Sequence, residues 1–471
     1  MHHIEQVYIN GEFVTPHGTE RFDLYNPATA RVIGQVRLAD AVDGERAIAA
    51  ARAAFPAWSK TTKQTRIAAL QRMHAAVAAR HDDLLEAVVE EYGAPASRSA
   101  WMASYPAEVI TQAIAALEAF EFTTVAGAAR VVMTPLGVAG LITPWNSDAG
   151  FICGKLAAAL AAGCTAVIKP SEMSALQTQI VTEALHAADL PPGVFNIVTG
   201  RGDTVGETIS RHPHVAKISF TGSTRTGKAI LRNAAENFTR VTLELGGKSP
   251  TLILEDADIR QAVPLAIQAG LMNSGQACVA GTRILVPQSR KAEFEQALAQ
   301  AIAAVKSGDP RDSATDVGPM VSEKQWQRVQ GYIQKGLAEG ARLLAGGVGR
   351  PEGTRDGWFV RPTLFTDVHN QMAIAREEIF GPVLCVIAYR DEAEAIAIAN
   401  DTDYGLSALV LGGDSGRARR VAQQIHAGRV LVNTLTHEPK APFGGFKHSG
   451  VGREMGAWGI SAFMEPKSIL S

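Results

Sequence analysis

Hydrophobic residues are spaced in two different ways along the first part of the chain. Residues 7–37 contain short apolar runs between turn residues, and the Asn-Gly pair in YINGEF indicates a β-hairpin. From Asp43 to about Phe120 apolar residues recur every three to four positions, which is typical of helices. One of these helices is predicted to stop at Gly93, because glycine commonly follows a helix C-terminus.

Short apolar runs then alternate with amphipathic helices. This alternation predicts a parallel, doubly wound α/β sheet, because strand and crossover helix follow each other regularly. The predicted strands are VAGLIT (138–143), TAVIKP (165–170), VFNIV (194–198), VAKISF (215–220) and VTLEL (241–245), and the predicted helices span about 148–161, 174–189, 203–211 and 224–236.

A second α/β series follows, from SPTLILE at 249–255 to about residue 435. Two further segments, about 118–135 and about 456–471, are predicted as β-strands outside both series. Such strands either pair with another protomer or form a flap on their own chain. The elements predicted in the second series are helices 258–271, 290–306 and 322–340 and the strands RILVP (283–287) and VLCVIAYR (383–390).

Composition excludes several classes of function. The 471 residues are 46% hydrophobic and 20% charged, with a net charge of −2, so no basic surface for nucleic acid or anionic membranes is expected. Four cysteines without CxxC spacing argue against a disulfide framework or a cysteine zinc site, and we predict no metal. The most apolar segment, 156–168, is shorter than the ~20 residues of a membrane span, and the start of the chain does not resemble a signal peptide. We expect a cytoplasmic protein with no membrane partner.

One cysteine has unusual neighbours. Cys278 lies in NSGQACVAGTR, among small and polar residues rather than the large aliphatic ones of a core. A buried structural thiol is one interpretation. The other is a nucleophile that needs room for a substrate and free backbone amides around it.

Four other motifs follow predicted strands, where open α/β sheets bind ligands. FTGSTRTGK (220–228) could bring backbone amides to a pyrophosphate, or form an ordinary turn. KPSE (169–172) could grip a ribose or merely cap a helix, and TPWN (143–146) offers an amide donor or a turn residue. LELGGKSP (243–250) holds a carboxylate that is either a general base or a structural group.

The series of motifs, in this order, resembles that of the NAD(P)-dependent aldehyde dehydrogenase superfamily over essentially the whole chain. The series also contains EEIFGPV (377–383) and PFGGFKHSGVGRE (442–454). The resemblance implies a Rossmann-like dinucleotide-binding domain (1–117 and 136–246), an α/β catalytic domain (247–440) and a small β oligomerisation segment (118–135 and 456–471). A homotetramer or homodimer is expected.

The resemblance also implies a covalent mechanism at Cys278. The family's thiolate attacks an aldehyde, hydride passes to nicotinamide, and the resulting thioester is hydrolysed. Asn146 matches the oxyanion donor, together with the backbone N–H of Cys278, and Glu244 matches the base that activates water.

The cofactor is expected to be NAD, with NADP left open. Glu172 would accept hydrogen bonds from the free ribose hydroxyls and repel a 2′-phosphate, whereas the nearby Lys169 would tolerate one. Ser223 matches a pyrophosphate contact, and Glu378 and Phe380 match residues at the nicotinamide riboside. The further residues expected at the cofactor are Thr143, Trp145, Ser171, Gly202, Gly206, Phe220, Gly222 and Leu245.

The chain departs from the family pattern at PWNSDAGFICGK. Ser147, Gly150 and Gly154 share one helix face with Phe151 beside them, so we expect a wide substrate tunnel and a bulky aromatic or medium- to long-chain aldehyde. Other residues expected at the substrate are Ala277, Val279 and Phe443. In the loop THEPKAP (436–442), His437, Glu438 and Lys440 are expected to face solvent rather than the substrate.

Two alternatives remain at this point. A coenzyme A-acylating relative would resolve the thioester with a thiol, but it would not need the base at Glu244. A catalytically idle binding protein on the same scaffold would not need Cys278, Glu244 and Asn146 together.

Overall fold

Two large sheets and two small ones organise residues 1–354 and 356–470, the part of the chain that the computed structural model describes. The strands, numbered in chain order, are β1 (His2–Ile4), β2 (Val7–Ile9), β3 (Glu12–Val14), β4 (Arg21–Asn26), β5 (Arg31–Arg37), β6 (Thr123–Ala126), β7 (Ala129–Pro135), β8 (Val138–Ile142), β9 (Thr165–Lys169), β10 (Phe195–Ile197), β11 (Val215–Thr221), β12 (Arg240–Glu244), β13 (Pro250–Ile253), β14 (Arg283–Pro287), β15 (Arg342–Ala345), β16 (Thr363–Thr366), β17 (Val383–Tyr389), β18 (Ser407–Leu411), β19 (Arg429–Val432), β20 (Gly450–Val451) and β21 (Met464–Leu470).

Helices cover both large sheets and form most of the segment before β6. They are α1 (Ala41–Trp58), α2 (Lys63–Ala78), α3 (His81–Ala87), α4 (Ala96–Ala119), α5 (Asp148–Ala162), α6 (Ala175–Ala187), α7 (Glu207–Arg211), α8 (Thr224–Ala235), α9 (Ile259–Leu271), α10 (Lys291–Ala304), α11 (Glu323–Ala338), α12 (Ala373–Arg376), α13 (Glu392–Asn400), α14 (Ser415–Ala422) and α15 (Gly456–Ser461). A π-helical turn extends α3 to Tyr92, and Gly93 ends it with φ +78°. None of the described helices is long and apolar enough to cross a membrane.

The first large sheet has the predicted doubly wound form. Its order is β20-β12-β11-β8-β9-β10-β2-β3, and the strands from β12 to β10 are parallel. The chain starts the parallel part at β8, adds β9 and β10 on one side, and then crosses back to add β11 and β12 on the other. The crossing leaves a crevice at the carboxyl ends of β8 and β11, which is where such sheets bind ligands.

The hairpin and the strand positions are confirmed. β2 and β3 pair antiparallel across Asn10 and Gly11, which both have positive φ, as the predicted turn requires. All five residues of β8 and of β9 are buried, because helices cover both faces of this part of the sheet.

The second large sheet has the order β15-β16-β17-β14-β13-β18-β19 and is parallel except for β15. Arg283 in β14 is fully buried, and its guanidinium donates to the carbonyls of Lys248, Ile398 and Ala399 and to the amide oxygen of Asn370. This side chain ties the β12–β13 connection to the second sheet, so the two sheets keep a fixed relation around the crevice.

The segments outside both series form the predicted β structure, with one correction. β21 pairs along its length with β7, and β7 pairs with β6, in a separate three-stranded sheet. Residues 456–461 are helix α15 rather than strand, and α4 continues to Ala119. The role of this sheet in oligomerisation and the domain limits given above stay predictions.

Candidate active site

The segment before Cys278 has an unusual backbone. After α9, a short 3-10 turn spans Met272–Gly275, and Asn273, Ser274 and Gly275 have φ values of +54°, +59° and +74°. A side chain at Gly275 would lie 2.3 Å from the carbonyl of Gly381, so only glycine allows this close approach. The turn leaves Cys278 and its neighbours Ala277 and Val279 half-buried between buried segments.

Gln276 fixes this turn. Its side chain is fully buried, with Nε2 donating to Tyr92 Oη and to the Pro319 carbonyl, both at 3.3 Å. Its Oε1 accepts from Val321 N at 3.0 Å, and Tyr92 Oη donates to the Asn273 carbonyl at 3.3 Å. Sequence reasoning selected neither Gln276 nor Tyr92, because a glutamine and a tyrosine carry no motif by themselves.

Asn146 lies against the same turn. Its Nδ2 donates to the Gln276 carbonyl at 3.0 Å, and its own carbonyl accepts from Asn273 Nδ2 at 3.1 Å. A carboxamide nitrogen carries two hydrogens, so one N–H of Asn146 remains available beside the Cys278 segment. Asn146 therefore contacts the turn that carries the predicted nucleophile, and its role as oxyanion donor stays a prediction.

The Cys278 thiol is in an environment that favours its neutral form. Burial raises its pKa to about 12, and the nearby carboxylates of Glu378 and Glu244 add to this, while the Arg429 guanidinium opposes it. The thiol is therefore protonated at neutral pH and needs a base, or a change in its surroundings, before it can attack.

Glu244 is a buried carboxylate without hydrogen-bond partners. It ends β12 in a buried position, and neither of its oxygens has a hydrogen-bond partner. Burial raises its pKa well above the usual range, and Glu454 adds to this, whereas Lys155 and Arg453 oppose it. A buried carboxyl group without hydrogen-bond partners destabilises the folded state. Its presence here therefore indicates a group that enters the site and forms a hydrogen bond to it.

A buried polar cluster lies behind Glu244. Lys155 Nζ pairs with the Glu454 carboxylate and donates to Ser219 Oγ at 2.9 Å, and Ser219 Oγ donates to Glu454 Oε1 at 2.9 Å. These residues come from α5, β11 and the segment after β20, so no local motif indicated that they meet.

The predicted ribose residues meet at the carboxyl end of β9. Lys169 Nζ is 3.5 Å from Glu172 Oε2, and the Lys169 stem lies 3.8 Å from the position of a side chain at Gly206. Arg201, which sequence reasoning missed, donates to Glu172 Oε1 at 3.2 Å and also pairs with Glu20. Glu172 is thus flanked by two cations. Space near Gly202 is open.

Several other predicted cofactor residues also make structural contacts. Thr143 Oγ1 donates to Asp148 at 2.7 Å, Ser171 caps the following turn, and Ser223 caps α8 by accepting from Thr226 N at 3.2 Å. A side chain at Gly222 would strike the Phe220 ring at 2.5 Å, and one at Gly227 would strike Leu245 at 2.6 Å. Glycine at these two positions therefore lets the turn and the start of α8 pack closely against Phe220 and Leu245.

Glu378 and Phe380 lie at the junction of the two large sheets. Glu378 Oε1 accepts from Gly247 N at 3.0 Å, and its Oε2 would be 2.6 Å from a side chain at Gly246. Phe380 has φ +62° and meets Trp145 edge-on, with ring centroids 5.4 Å apart. The predicted nicotinamide residues thus lie on the cysteine side of the crevice.

The substrate side differs from the sequence expectation at Gly150. The Tyr105 ring, on α4, lies 2.5 Å from the position of a Gly150 side chain, so a ring from another helix occupies the expected gap. At Gly154 the nearest atoms, from Val109, are 3.7 Å away and leave more room. Ser147 Oγ lies 3.2 Å from the same Gly150 position.

A cavity of about 100 Å³ lies next to these glycines. It is mainly apolar and reaches from Phe443 and Phe151 along Gly150 and Gly154 to α15. His437 is half-buried rather than facing solvent, because its Nε2 lies 3.0 Å from Met455 Sδ and its ring meets Phe443 edge-on. Glu438 and Lys440 are exposed, as expected.

A sequence model of the aldehyde dehydrogenase family matches residues 13–469. The chain belongs to the aldehyde dehydrogenase family. It is 43% identical over 472 residues to 3-succinoylsemialdehyde-pyridine dehydrogenase of a Pseudomonas species, which covers 100% of this chain and 99% of that protein.

Solved aldehyde dehydrogenases have the same fold. An alanine mutant of Pseudomonas syringae aldehyde dehydrogenase C, complexed with NAD⁺ and octanal, matches with a TM-score of 0.97 and 45% identity, covering 99% of this chain and 96% of that one. Mycobacterium tuberculosis aldehyde dehydrogenase complexed with NAD⁺ matches with a TM-score of 0.96 and 39% identity, covering 100% and 98%. The protein is therefore an NAD(P)-dependent aldehyde dehydrogenase with the expected α/β fold.

The residues at the crevice fit this cofactor. A ribose would meet Lys169 and Glu172, a pyrophosphate the start of α8 at Ser223, and the second ribose the Glu378 carboxylate. When bound, the nicotinamide supplies a hydride acceptor.

Proposed function

We propose that this aldehyde dehydrogenase oxidises a bulky aldehyde, aromatic or of medium to long chain, to the free carboxylic acid with NAD. Cys278 is the nucleophile, Asn146 and the backbone N–H of Cys278 hold the oxyanion, and Glu244 is the base. The main support for this proposal is the Glu244 carboxylate. It is buried without hydrogen-bond partners, and it is near enough to Cys278 to raise the pKa of the thiol.

The reaction begins when the Cys278 thiol loses its proton and sulfur bonds to the aldehyde carbon. The carbonyl oxygen becomes an oxyanion and accepts hydrogen bonds from Asn146 and the Cys278 backbone. Loss of hydride from that carbon leaves a thioester on Cys278. Glu244 then takes a proton from water, the hydroxyl adds to the thioester carbon, and the Cys278 thiolate leaves as the acid forms.

Release of a free acid is favoured over transfer to coenzyme A. A thiol nucleophile needs no buried base of high pKa, whereas water does. An idle scaffold would gain nothing from an unpartnered buried carboxylate near the Cys278 thiol, since burying such a group destabilises the fold.

The bulky substrate is supported by the space on the far side of Phe443. The cavity between α4, α5 and α15 is apolar, and Gly154 leaves room that a larger residue would fill. The similar P. syringae enzyme was crystallised with octanal, and the similar Pseudomonas enzyme is named for a pyridine semialdehyde. Tyr105 narrows this region, so Gly154 rather than Gly150 carries the size argument.

Preference for NAD follows from the Glu172 carboxylate, and the two flanking cations explain how NADP could still bind. Lys169 and Arg201 could contact a 2′-phosphate if Glu172 turned away. We also propose that the β6, β7 and β21 sheet joins protomers into a homodimer or homotetramer.

An aldehyde panel with NAD, with and without coenzyme A, tests the function. We expect octanal and benzaldehyde to have kcat/KM values at least about tenfold above acetaldehyde, a difference of ~1.4 kcal/mol in transition-state binding. Coenzyme A should not accelerate turnover, and the product should be the acid. Equal efficiencies across the panel would contradict the bulky-substrate proposal, and formation of an acyl-coenzyme A would contradict hydrolysis.

A further inference from the structure

Two arginines near the predicted substrate side, Arg98 and Arg429, lack a carboxylate partner among the described residues and make few hydrogen bonds. Arg453 also has no carboxylate partner there, but it donates to the Gly445 and Gly452 carbonyls. By comparison, Arg201 pairs with two carboxylates, and the fully buried Arg283 donates to three carbonyls and the Asn370 amide oxygen. Arg429 donates only from Nε, to Ser407 Oγ at 3.2 Å, and Arg98 Nε is buried without any partner. Across residues 1–354 and 356–470, neither guanidinium forms an ion pair with a carboxylate.

Arg429 lies beside Phe443, a residue that lines the cavity. It begins β19, and its guanidinium carbon is 5.6 Å from the centroid of the Phe443 ring, which lines the cavity. The charge of Arg429 opposes the rise in the pKa of the Cys278 thiol. Burial lowers the pKa of His437, and the charge of Arg429 lowers it further. A substrate bound at Cys278 that extends past Phe443 would therefore pass this cation.

Arg98 is part of a stack that leads from the cavity toward the surface. Its guanidinium carbon lies 3.6 Å over the Trp101 ring, and Trp101 stacks on Tyr105 with centroids 4.4 Å apart. Tyr105 covers Gly150, and Trp101 is 38% exposed. The charges of Arg98 and Arg429 both oppose the rise in the pKa of the Tyr105 phenol that burial causes. The two cations therefore lie near the same ring.

Nearby carboxylates do not neutralise these arginines. Glu454 pairs with Lys155, Glu108 is exposed and accepts from Gln112, and Glu438 is exposed and accepts from Lys440 N. Glu244 and Glu378 lie on the cysteine side and have no contact with either guanidinium. Arg98 and Arg429 thus have no carboxylate partner in the described part of the chain, and Arg429 uses only one of its five donor hydrogens.

We propose that Arg98 and Arg429 recognise a carboxylate at the far end of the substrate, so that the preferred aldehydes carry an acid group on an aromatic or extended body. This inference rests on the proposed function. A guanidinium partly removed from water gains most from an anion that accepts two parallel hydrogen bonds, which a carboxylate does. The Trp101 and Tyr105 rings would hold the body of the substrate between the reacting carbon and the acid.

Two para-substituted benzaldehydes of similar size test the inference. Wild-type kcat/KM should be at least about tenfold higher for 4-carboxybenzaldehyde than for 4-methylbenzaldehyde, the scale of one charge-assisted hydrogen-bond pair. Raising the salt concentration should lower this ratio, because charge attraction is screened. Arg429→Met and Arg98→Met should each reduce the ratio about tenfold, with Arg429→Lys intermediate. Arg260→Met, at an exposed arginine in the first turn of α9, is the matched control and should leave the ratio unchanged.

The outcomes separate the two proposals. If neither aldehyde is oxidised, the proposed function fails. If both are oxidised with a ratio near one that neither salt nor the arginine variants change, the aldehyde reaction stands and carboxylate recognition is wrong. A purely electrostatic effect of Arg429 on the Cys278 thiol would lower both rates equally and leave the ratio intact, which also contradicts the inference. The wild-type ratio and its salt dependence need no variant to fold.

Discussion

The cofactor end and the substrate end of the crevice are built in different ways. At the cofactor end, Lys169, Glu172 and Ser223 follow strands of one parallel sheet, each within a few residues of a strand end. At the substrate end, Tyr105, Gly154 and Phe443 come from α4, from α5 and from the loop before β20. A ligand site on consecutive strand ends is local in sequence, whereas a site between distant elements depends on packing.

This difference explains why the cofactor end is easier to predict from the sequence than the substrate end. The sheet topology determines which turns lie next to each other. Residues that follow β8, β9 and β11 therefore meet at the carboxyl ends of these strands, whatever residues surround them in the sequence. On the substrate side, a glycine at 150 does not mean empty space, because the Tyr105 ring fills it. The following variants separate the two ends.

The largest effect is expected at the reacting atom between them. Cys278→Ala should reduce kcat by about 10⁴-fold or more, because it removes the atom that forms the covalent intermediate. NAD binding, measured by fluorescence titration, should change less than about twofold, since no cofactor residue is altered. Appreciable aldehyde oxidation by this variant would contradict the assignment of Cys278 as the nucleophile.

Glu244→Gln should slow steady-state turnover by about 10²- to 10⁴-fold, the scale of general-base catalysis. A rapid burst of about one NADH per site should remain, because hydride transfer precedes the step that needs the base. The raised pKa of Glu244 means that its basic form increases as pH rises above the usual carboxyl range, so wild-type steady-state rates should climb with pH. The glutamine variant should lose that rise. Stopped-flow traces across pH measure both, and loss of the burst would instead assign Glu244 to thiol activation.

At the cofactor end, Glu172→Ser should shift the ratio of NAD to NADP efficiency toward NADP by roughly tenfold or more, since it removes a charge that faces the 2′ position. Arg201→Met is the companion variant and should weaken NADP use specifically, because it removes a cation beside that position. Initial rates with both cofactors measure the shift. Wild-type efficiencies that are already equal would show that Glu172 does not discriminate.

At the substrate end, the expected effect is smaller. Gly154→Leu should lower the ratio of octanal to acetaldehyde efficiency by about three- to tenfold, because the new side chain fills space worth up to ~1.5–3 kcal/mol of apolar contact. Gly331→Leu, at an exposed helical glycine with open space around it, is the control and should leave the ratio unchanged. An unchanged ratio in Gly154→Leu would mean that substrates do not reach this helix face.

Much of the fold could be predicted because its signals are local. Continuous apolar runs gave β8, β9 and β11 nearly to the residue, and Gly93 and the Asn10–Gly11 turn ended elements where expected. The tail was harder. Residues 456–461 were expected as strand but form α15, and a six-residue helix has too little periodicity to be recognised.

The candidate site was predictable where motifs carry it and not where contacts are distant. Asn146 contacts the turn that precedes Cys278, and the Glu244 carboxylate is near enough to raise the pKa of the Cys278 thiol; the catalytic roles stay predictions. Arg201 and Arg429 have ordinary neighbours in sequence, and tertiary packing rather than a motif places them beside Glu172 and Phe443. His437 was expected in solvent for the same reason: its partner Met455 lies eighteen residues later.

The central claim, a thioester on Cys278 that Glu244 helps to hydrolyse, is tested most directly by intact-protein mass spectrometry of the Glu244→Gln variant. The variant is mixed with NAD and octanal and quenched in acid within the first turnover. We predict an added octanoyl mass on most chains, located by peptide mapping at Cys278 and matched by about one NADH per site. The adduct should be absent from wild-type enzyme in the steady state after substrate is exhausted. An unmodified Cys278 together with an undiminished NADH burst, or an acyl group on another residue, would contradict the claim.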